Sequence, residues 1–291
     1  MRFILTSHTA VCVTLFSLLT ANVPAVLSAF PQGSQTETAE HQIERARTAL
    51  SRRDYGDAKK ALKRALKLKD DSSEAWLLLA RVHRLEGKKD DAFKYVKKAI
   101  LSSADYVQAQ TFYARLLFEA GKVEQARTQL KTALAMTPKD PNAYVLSGEV
   151  YLQDRKYKEA VEAFEHGIRI APANDPGTTD TQAWVDGIKR YLAFQSQHQD
   201  DTVSTLPIMK NRPRPDYTEE ARRARTQGLV RLIMLINEAG DVTDLMVISG
   251  LPHGLTGEAV RAARRIRFSP ALKGGIPVEH WQEIEVEFNL R

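Results

Sequence analysis

The sequence predicts a mainly α protein with a C-terminal α+β domain: an α-solenoid followed by a small three-stranded antiparallel module. Three observations carry this. Ala58, Ala92, Ala126 and Ala160 stand at steps of 34 residues, and a fixed period of that length marks stacked helical pairs. From Leu206 onward the repeat stops, and Pro207, Pro213 and Pro215 punctuate a loop before short apolar runs. The last of these, Val278–Leu290, alternates apolar with polar residues, the period of a strand with one buried face.

The totals fit this picture and exclude several classes. A chain of 291 residues holds about two domains of ~150 residues. Apolar residues make up 43 % and charged residues 27 %, with a net charge of +6. A basic balance suits nucleic acid or a membrane surface. However, Lys59, Lys60, Lys63, Lys67 and Lys69 have no interleaved aromatics on which bases would stack, so they read as a solvated helix face and no nucleic-acid partner is expected. Cys12 is the single cysteine; a chain beginning near Phe30 would lack thiol chemistry, disulfides and thiolate metal sites. His8, His41, His83, His166, His198, His253 and His280 never fall at metal-ligand spacing, and His83 and His166 read as helix-surface residues. Ser249-Gly250 lacks a nucleophile-elbow context, and no glycine-rich phosphate loop is present. The chain is therefore expected to be a binding protein, not an enzyme, with no metal and no cofactor.

The N-terminus reads as an address. Arg2 is followed by the apolar run Ala10–Leu19, then Pro24 and the small residues Ser28 and Ala29, the order of a secretory signal over residues 1–29. Two outcomes stay open: cleavage, leaving a periplasmic protein, or retention of residues 3–29 as an inner-membrane anchor. Residues 30–39 form a polar, flexible lead-in.

The repeats come next. Each of the four alanines follows a turn-like segment. Small residues recur seven positions later (Ala65, Ala99, Ala133, Gly167) and twelve positions earlier (Ala46, Ala80, Ala114, Gly148). Small residues at fixed places let antiparallel helices cross closely, while Trp76, Tyr113, Tyr144, Tyr151 and Phe164 fill the gaps. Pro138 and Pro172 close the last two copies. These residues resemble the tetratricopeptide repeat family, with copies at 39–72, 73–106, 107–140 and 141–174, a repeat domain over 40–174. A capping helix over Thr181–Gln197 and a linker complete 175–200, because a solenoid end needs cover.

The family lines a concave groove with its first helices. One such position is Arg47, Arg81, Arg115 and Glu149, with Arg84 close to the row. Arginine forks grip carboxylates, so these arginines are groove candidates for an acidic or C-terminal peptide. The alternative is that they are solvated or paired with nearby glutamates.

The module spans 207–291. Tyr217–Gln227 reads as a short helix. Leu229–Asn237, apolar on both faces, reads as a central strand and Val242–Ser249 as a second. Gly240 serves the turn between them. Leu255, Ala259, Ala262 and Ile266 share one face of a further helix. In the final strand Ile284, Val286, Phe288 and Leu290 lie opposite Glu283, Glu285, Glu287 and Asn289.

This order, with Pro215-Asp-Tyr217, Gly228-Leu-Val230, Gly240-Asp-Val242, Ala259–Arg264, Arg267–Ala271, Gly275–Val278 and Val286-Glu-Phe288, resembles the TonB C-terminal domain. The chain departs from the family at Thr218, often a proline, at Ile266, often a tryptophan, and at Arg214, a glutamine in well-known transducers. The resemblance implies binding of TonB-dependent outer-membrane receptors by strand addition at Glu283, Ile284, Glu285, Val286, Glu287 and Phe288. It further implies contacts from the pre-helix segment Arg214, Pro215 and Tyr217, and energy-coupled import powered by an inner-membrane proton-motive complex of the ExbB/ExbD type. The same glutamate row also discourages unwanted edge pairing. The other reading is a soluble periplasmic adaptor without energy transduction.

Overall fold

A computed structural model describes residues 37–198 and 203–290; the leader and anchor readings for 1–29 lie outside the described residues. The helices run α1 (Ala39–Ser51), α2 (Tyr55–Leu68), α3 (Ser73–Leu85), α4 (Lys89–Ser102), α5 (Val107–Glu119), α6 (Val123–Met136), α7 (Pro141–Gln153), α8 (Tyr157–Ile170) and α9 (Pro176–Gln197). The eight helices α1–α8 form four antiparallel pairs, one per repeat, and α9 covers the last pair. Several starts are written in the sequence: Thr38, Asp54, Ser72 and Asp140 each accept a hydrogen bond from a first-turn amide, satisfying one of the orphan donors at a helix end.

The repeated small residues sit where helices touch. Ala46, Ala80, Ala114, Ala58, Ala92, Ala126 and Ala160 are all fully buried. The fourth repeat shows why size is matched there. A Cβ on Gly148 would lie 2.5 Å from the Phe164 ring. The residues one repeat apart from Phe164 are Leu62, Val96 and Leu130, all smaller, and they stand against repeats that carry alanine at the Gly148 position. The larger ring has taken the volume of the methyl group, as close packing demands.

The cap begins earlier than the sequence reading placed it, at Pro176 and not Thr181. Asp175 accepts from the Gly177 amide and Pro176 occupies the first turn, so the Asp-Pro pair is a helix start rather than loop punctuation.

The module follows with β1 (Ile208–Met209), α10 (Glu219–Arg223), β2 (Gly228–Ile236), β3 (Val242–Ser249), α11 (Leu255–Ala263), β4 (Phe268–Ser269), β5 (Ala271–Lys273), β6 (Ile276–Val278) and β7 (His280–Phe288). The main sheet is antiparallel with order β3-β2-β7. Two short ladders, β1 with β4 and β5 with β6, went unread in the sequence. The expected helix over Tyr217–Gln227 is only five residues long; Arg225 takes a positive φ of 48° and ends it before Gly228. Positive φ does its work at Gly240 (φ 86°), whose carbonyl accepts from Phe268 N at 2.9 Å.

The central strand is buried on both sides for two different reasons. Val230, Leu232, Met234 and Ile236 pack with Leu255, Ala259 and Ala263 of α11. On the opposite face Ile233, with Met246 and Ile248 of β3, joins Leu152, Phe164, Val185 and Ile188 of the solenoid end. One sheet thus carries two cores, and the second fuses module to repeats. Polar contacts extend the seam: Arg190 pairs with Asp244 at 2.7 Å, Arg231 donates to Gln153 at 2.6 Å, and Arg155 meets Glu283 at 2.9 Å. At the far end Arg53 reaches Glu220 at 3.1 Å and the His253 ring lies 3.3 Å from the Leu85 carbonyl.

Candidate functional site

Two surfaces carry the residues that the sequence singles out, and they differ in what already holds them. The first is β7. It pairs with β2 along its whole length, from Ile236–His280 to Gly228–Phe288. Among the described residues no strand pairs with its outer margin, which leaves a row of backbone donors and acceptors free for an added chain. Ile284, Val286 and Phe288 turn toward the α11 core. Glu285 and Glu287 are exposed. Glu283 is different: it faces the repeats, bound to Arg155 and within 4.0 Å of Arg231, so it belongs to the seam.

The pre-helix segment backs this strand. The Tyr217 ring meets Phe288 edge-on at 5.8 Å, its hydroxyl donates to the Thr226 carbonyl, and the Arg222 guanidinium covers it at 5.4 Å. Arg214 is exposed and Pro215 half-buried. Tyr217 therefore positions the last residue of β7 from inside the module.

The second surface is the arginine row. Arg47 binds Glu74, Arg84 binds Glu119 at 2.8 Å, and Arg115 binds Glu149. Each partner comes from the following helix pair, so the row is an internal arginine–glutamate ladder along the stack. Glu149 itself stands at the arginine position of repeat 4, which ends the column by pairing with it. For Arg115, burial opposes the charge, but Glu149 more than offsets it and the pKa is raised. Arg81 is the exception. No carboxylate among the described residues pairs with it; its guanidinium lies 5.8 Å from the Phe112 ring. It is exposed; desolvation by its neighbours lowers its pKa, with Arg47 and Arg84 adding to the effect and Tyr106 and Glu74 opposing it.

His83 corrects the sequence reading. It is buried, 9 % exposed, with its ring 4.9 Å from Tyr95. Its Nδ1 lies 3.3 Å from Asp91 but out of line for a hydrogen bond, and burial lowers its pKa. His166 is half-buried against Tyr144, ring centroids 4.1 Å apart.

Sequence reasoning missed Trp281. It is 9 % exposed and faces the solenoid, where Tyr191 meets it edge-on at 5.6 Å and Phe194 at 6.5 Å. A signal existed: Trp281 shares the parity of Glu283, Glu285 and Glu287 and is a large apolar residue on the face read as polar. No group of three or more His, Cys, Asp or Glu side chains gathers as a metal site among the described residues. No described helix is long and apolar enough to cross a membrane.

Comparison with known proteins agrees with this division. Residues 32–178, just over half of the chain, match the cytochrome c-type biogenesis protein H TPR domain. Residues 213–290 match the Gram-negative bacterial TonB protein C-terminal family. No curated protein matches. Among solved structures, Pseudomonas aeruginosa pilF is 26 % identical, over 56 % of this chain and 73 % of that one, with a TM-score of 0.46. A chain of the APC/C hetero-tetramer Cut9-Hcn1 is 17 % identical with a TM-score of 0.52; it covers 57 % of this chain, which spans only 33 % of that one, and the likeness shows the fold alone. The chain belongs to the tetratricopeptide repeat proteins of the cytochrome c-type biogenesis protein H type, and it carries a TonB C-terminal domain behind its repeats.

Proposed function

We propose that this chain is a periplasmic, TonB-like binding protein that engages TonB-dependent outer-membrane receptors by strand addition to β7 and supports energy-coupled import. The repeats act as a scaffold for a second, anionic protein partner. The observation that carries the first part is the outer margin of β7, unpaired among the described residues and backed by two cores that hold it in place. Backbone pairing supplies affinity with little demand on sequence, which suits a module whose Thr218, Ile266 and Arg214 depart from the family. The second part rests on Arg81. Inner-membrane partners of the ExbB/ExbD type belong to this reading if residues 1–29 are retained as an anchor. The activity is binding, not catalysis.

The mature chain would lack cysteine, so single cysteines report on the margin. Glu285→Cys and Glu287→Cys should form disulfides in cells with cysteines scanned through a receptor's extended segment, at positions alternating with a period of two. Cross-linking without that period, or none at all, contradicts strand addition.

The adaptor reading draws support from the seam: Ile233, Met246, Ile248 and Trp281 bury against the solenoid end, so receptor margin and groove are held on one body. N-terminal sequencing of the mature protein separates the two. A start near Phe30 removes the anchor and favours the adaptor; an intact N-terminus favours the transducer.

A further inference from the structure

A cavity of about 720 Å³ lies between the C-terminal half of α9 and the start of β7, within the size range of ligand pockets, roughly 300–1,000 Å³. Tyr191, Leu192 and Phe194 form one wall, Val278, His280 and Trp281 the other. Nothing in the pairing of β7 with a guest strand requires such a space.

Two features give it a chemistry. Tyr191 and Phe194 both meet Trp281 edge-on, and a ring cluster of this geometry accepts a further ring in the same offset or edge-on manner. Second, His280 and Trp281 are the first residues of β7, so the cavity opens at one end of the unpaired margin. A guest strand laid along that margin directs alternate side chains to the face that Trp281 occupies.

We propose that this cavity is an anchor pocket that takes one aromatic side chain of the extended partner segment. The inference rests on strand addition at β7. It gives α9 a role beyond capping: the solenoid supplies one wall of the receptor site, and the selectivity that a bare strand edge lacks.

The test uses the full mature chain and capped ten-residue peptides of alternating threonine and valine, with phenylalanine or alanine placed at each position in turn. Capped phenylalanine amide serves as a control. In one register the phenylalanine peptide should bind about tenfold tighter than its alanine counterpart. It should shift the indole N–H resonance of Trp281 while leaving those of Trp76 and Trp184 in place. Phe194→Leu, which keeps the wall apolar, should remove most of that advantage and leave the alanine peptide's affinity unchanged. Equal binding of every peptide would overturn the pocket while strand addition stands. Loss of all peptide binding, with the capped amide still shifting Trp281, would overturn strand addition and the anchor role with it.

Discussion

The groove and the outer margin of β7 were both expected to bind partners, and the fold treats them oppositely. In the groove, three of four candidate arginines already hold glutamates of the next helix pair, so their charge serves the stack. Along β7 no strand among the described residues pairs with the outer margin. Side-chain charge on a repeat surface is readily neutralised by the next repeat, which here brings Glu74, Glu119 and Glu149 within reach of the arginines before them. A sheet edge has no such internal remedy. In the proposed reading, the surfaces left for partners are Arg81, which pairs with no carboxylate among the described residues, and the outer margin of β7.

The comparison can be broken first at its shared support. Phe164 packs against Gly148 and belongs to the same core as Ile233 and Trp281. Gly148→Ala should overpack that core and cost about 1–3 kcal/mol in urea unfolding, and weaken receptor binding while Arg81 keeps its ligand. Phe164→Leu added to it recreates the pairing of the first and third repeats and should recover most of the loss. Failure to recover would mean that the ring, not the glycine, fits the module.

The ladder comes next. Arg115→Gln strands the half-buried Glu149 carboxylate, and should cost about 1–2 kcal/mol by the same measurement. Arg81→Gln breaks no ion pair and should change stability by less than about 0.5 kcal/mol, yet abolish binding of an acidic peptide measured by calorimetry. The reverse ranking would make Arg81 structural and empty the groove of function.

The smallest effect is with pH. Burial lowers the pKa of His280, and mainly burial lowers that of His83, with Asp91 opposing. A histidine that binds its proton less readily when folded contributes stability above its unfolded pKa near 6.5, and that contribution is lost as pH falls through the lower folded value. Thermal stability should fall from pH 7 toward pH 5, and His280→Gln should flatten the slope. An unchanged slope assigns the acid sensitivity elsewhere.

Much of the architecture was legible because packing repeats itself in the sequence. The small residues at Ala46, Ala80, Ala114 and Gly148 report one helix crossing seen four times, and β2 announced burial on both faces by an apolar run interrupted by charge only at Arg231. What covered the second face was not legible. Ile233 and Met246 meet Leu152 and Val185 across a long separation in sequence, and no local pattern encodes that encounter. For the same reason Trp281 and the burial of His83 escaped notice, since each depends on a neighbour brought in by tertiary packing. The helix at α10 was overestimated because its composition suits a helix, while Arg225 in a left-handed conformation stops it. The sequence sets Arg47, Arg81 and Arg115 one repeat apart, but their ion pairs depend on which acids the stack brings opposite.

Amide hydrogen exchange along His280–Phe288, with and without a receptor's extended segment, addresses strand addition most directly. In the free chain, the amides of β7 that point away from β2 should exchange rapidly while their alternate neighbours are protected; addition of the segment should slow the rapid set. Uniform protection in the free chain, or rapid exchange that the segment leaves unchanged, would contradict a docking margin at β7.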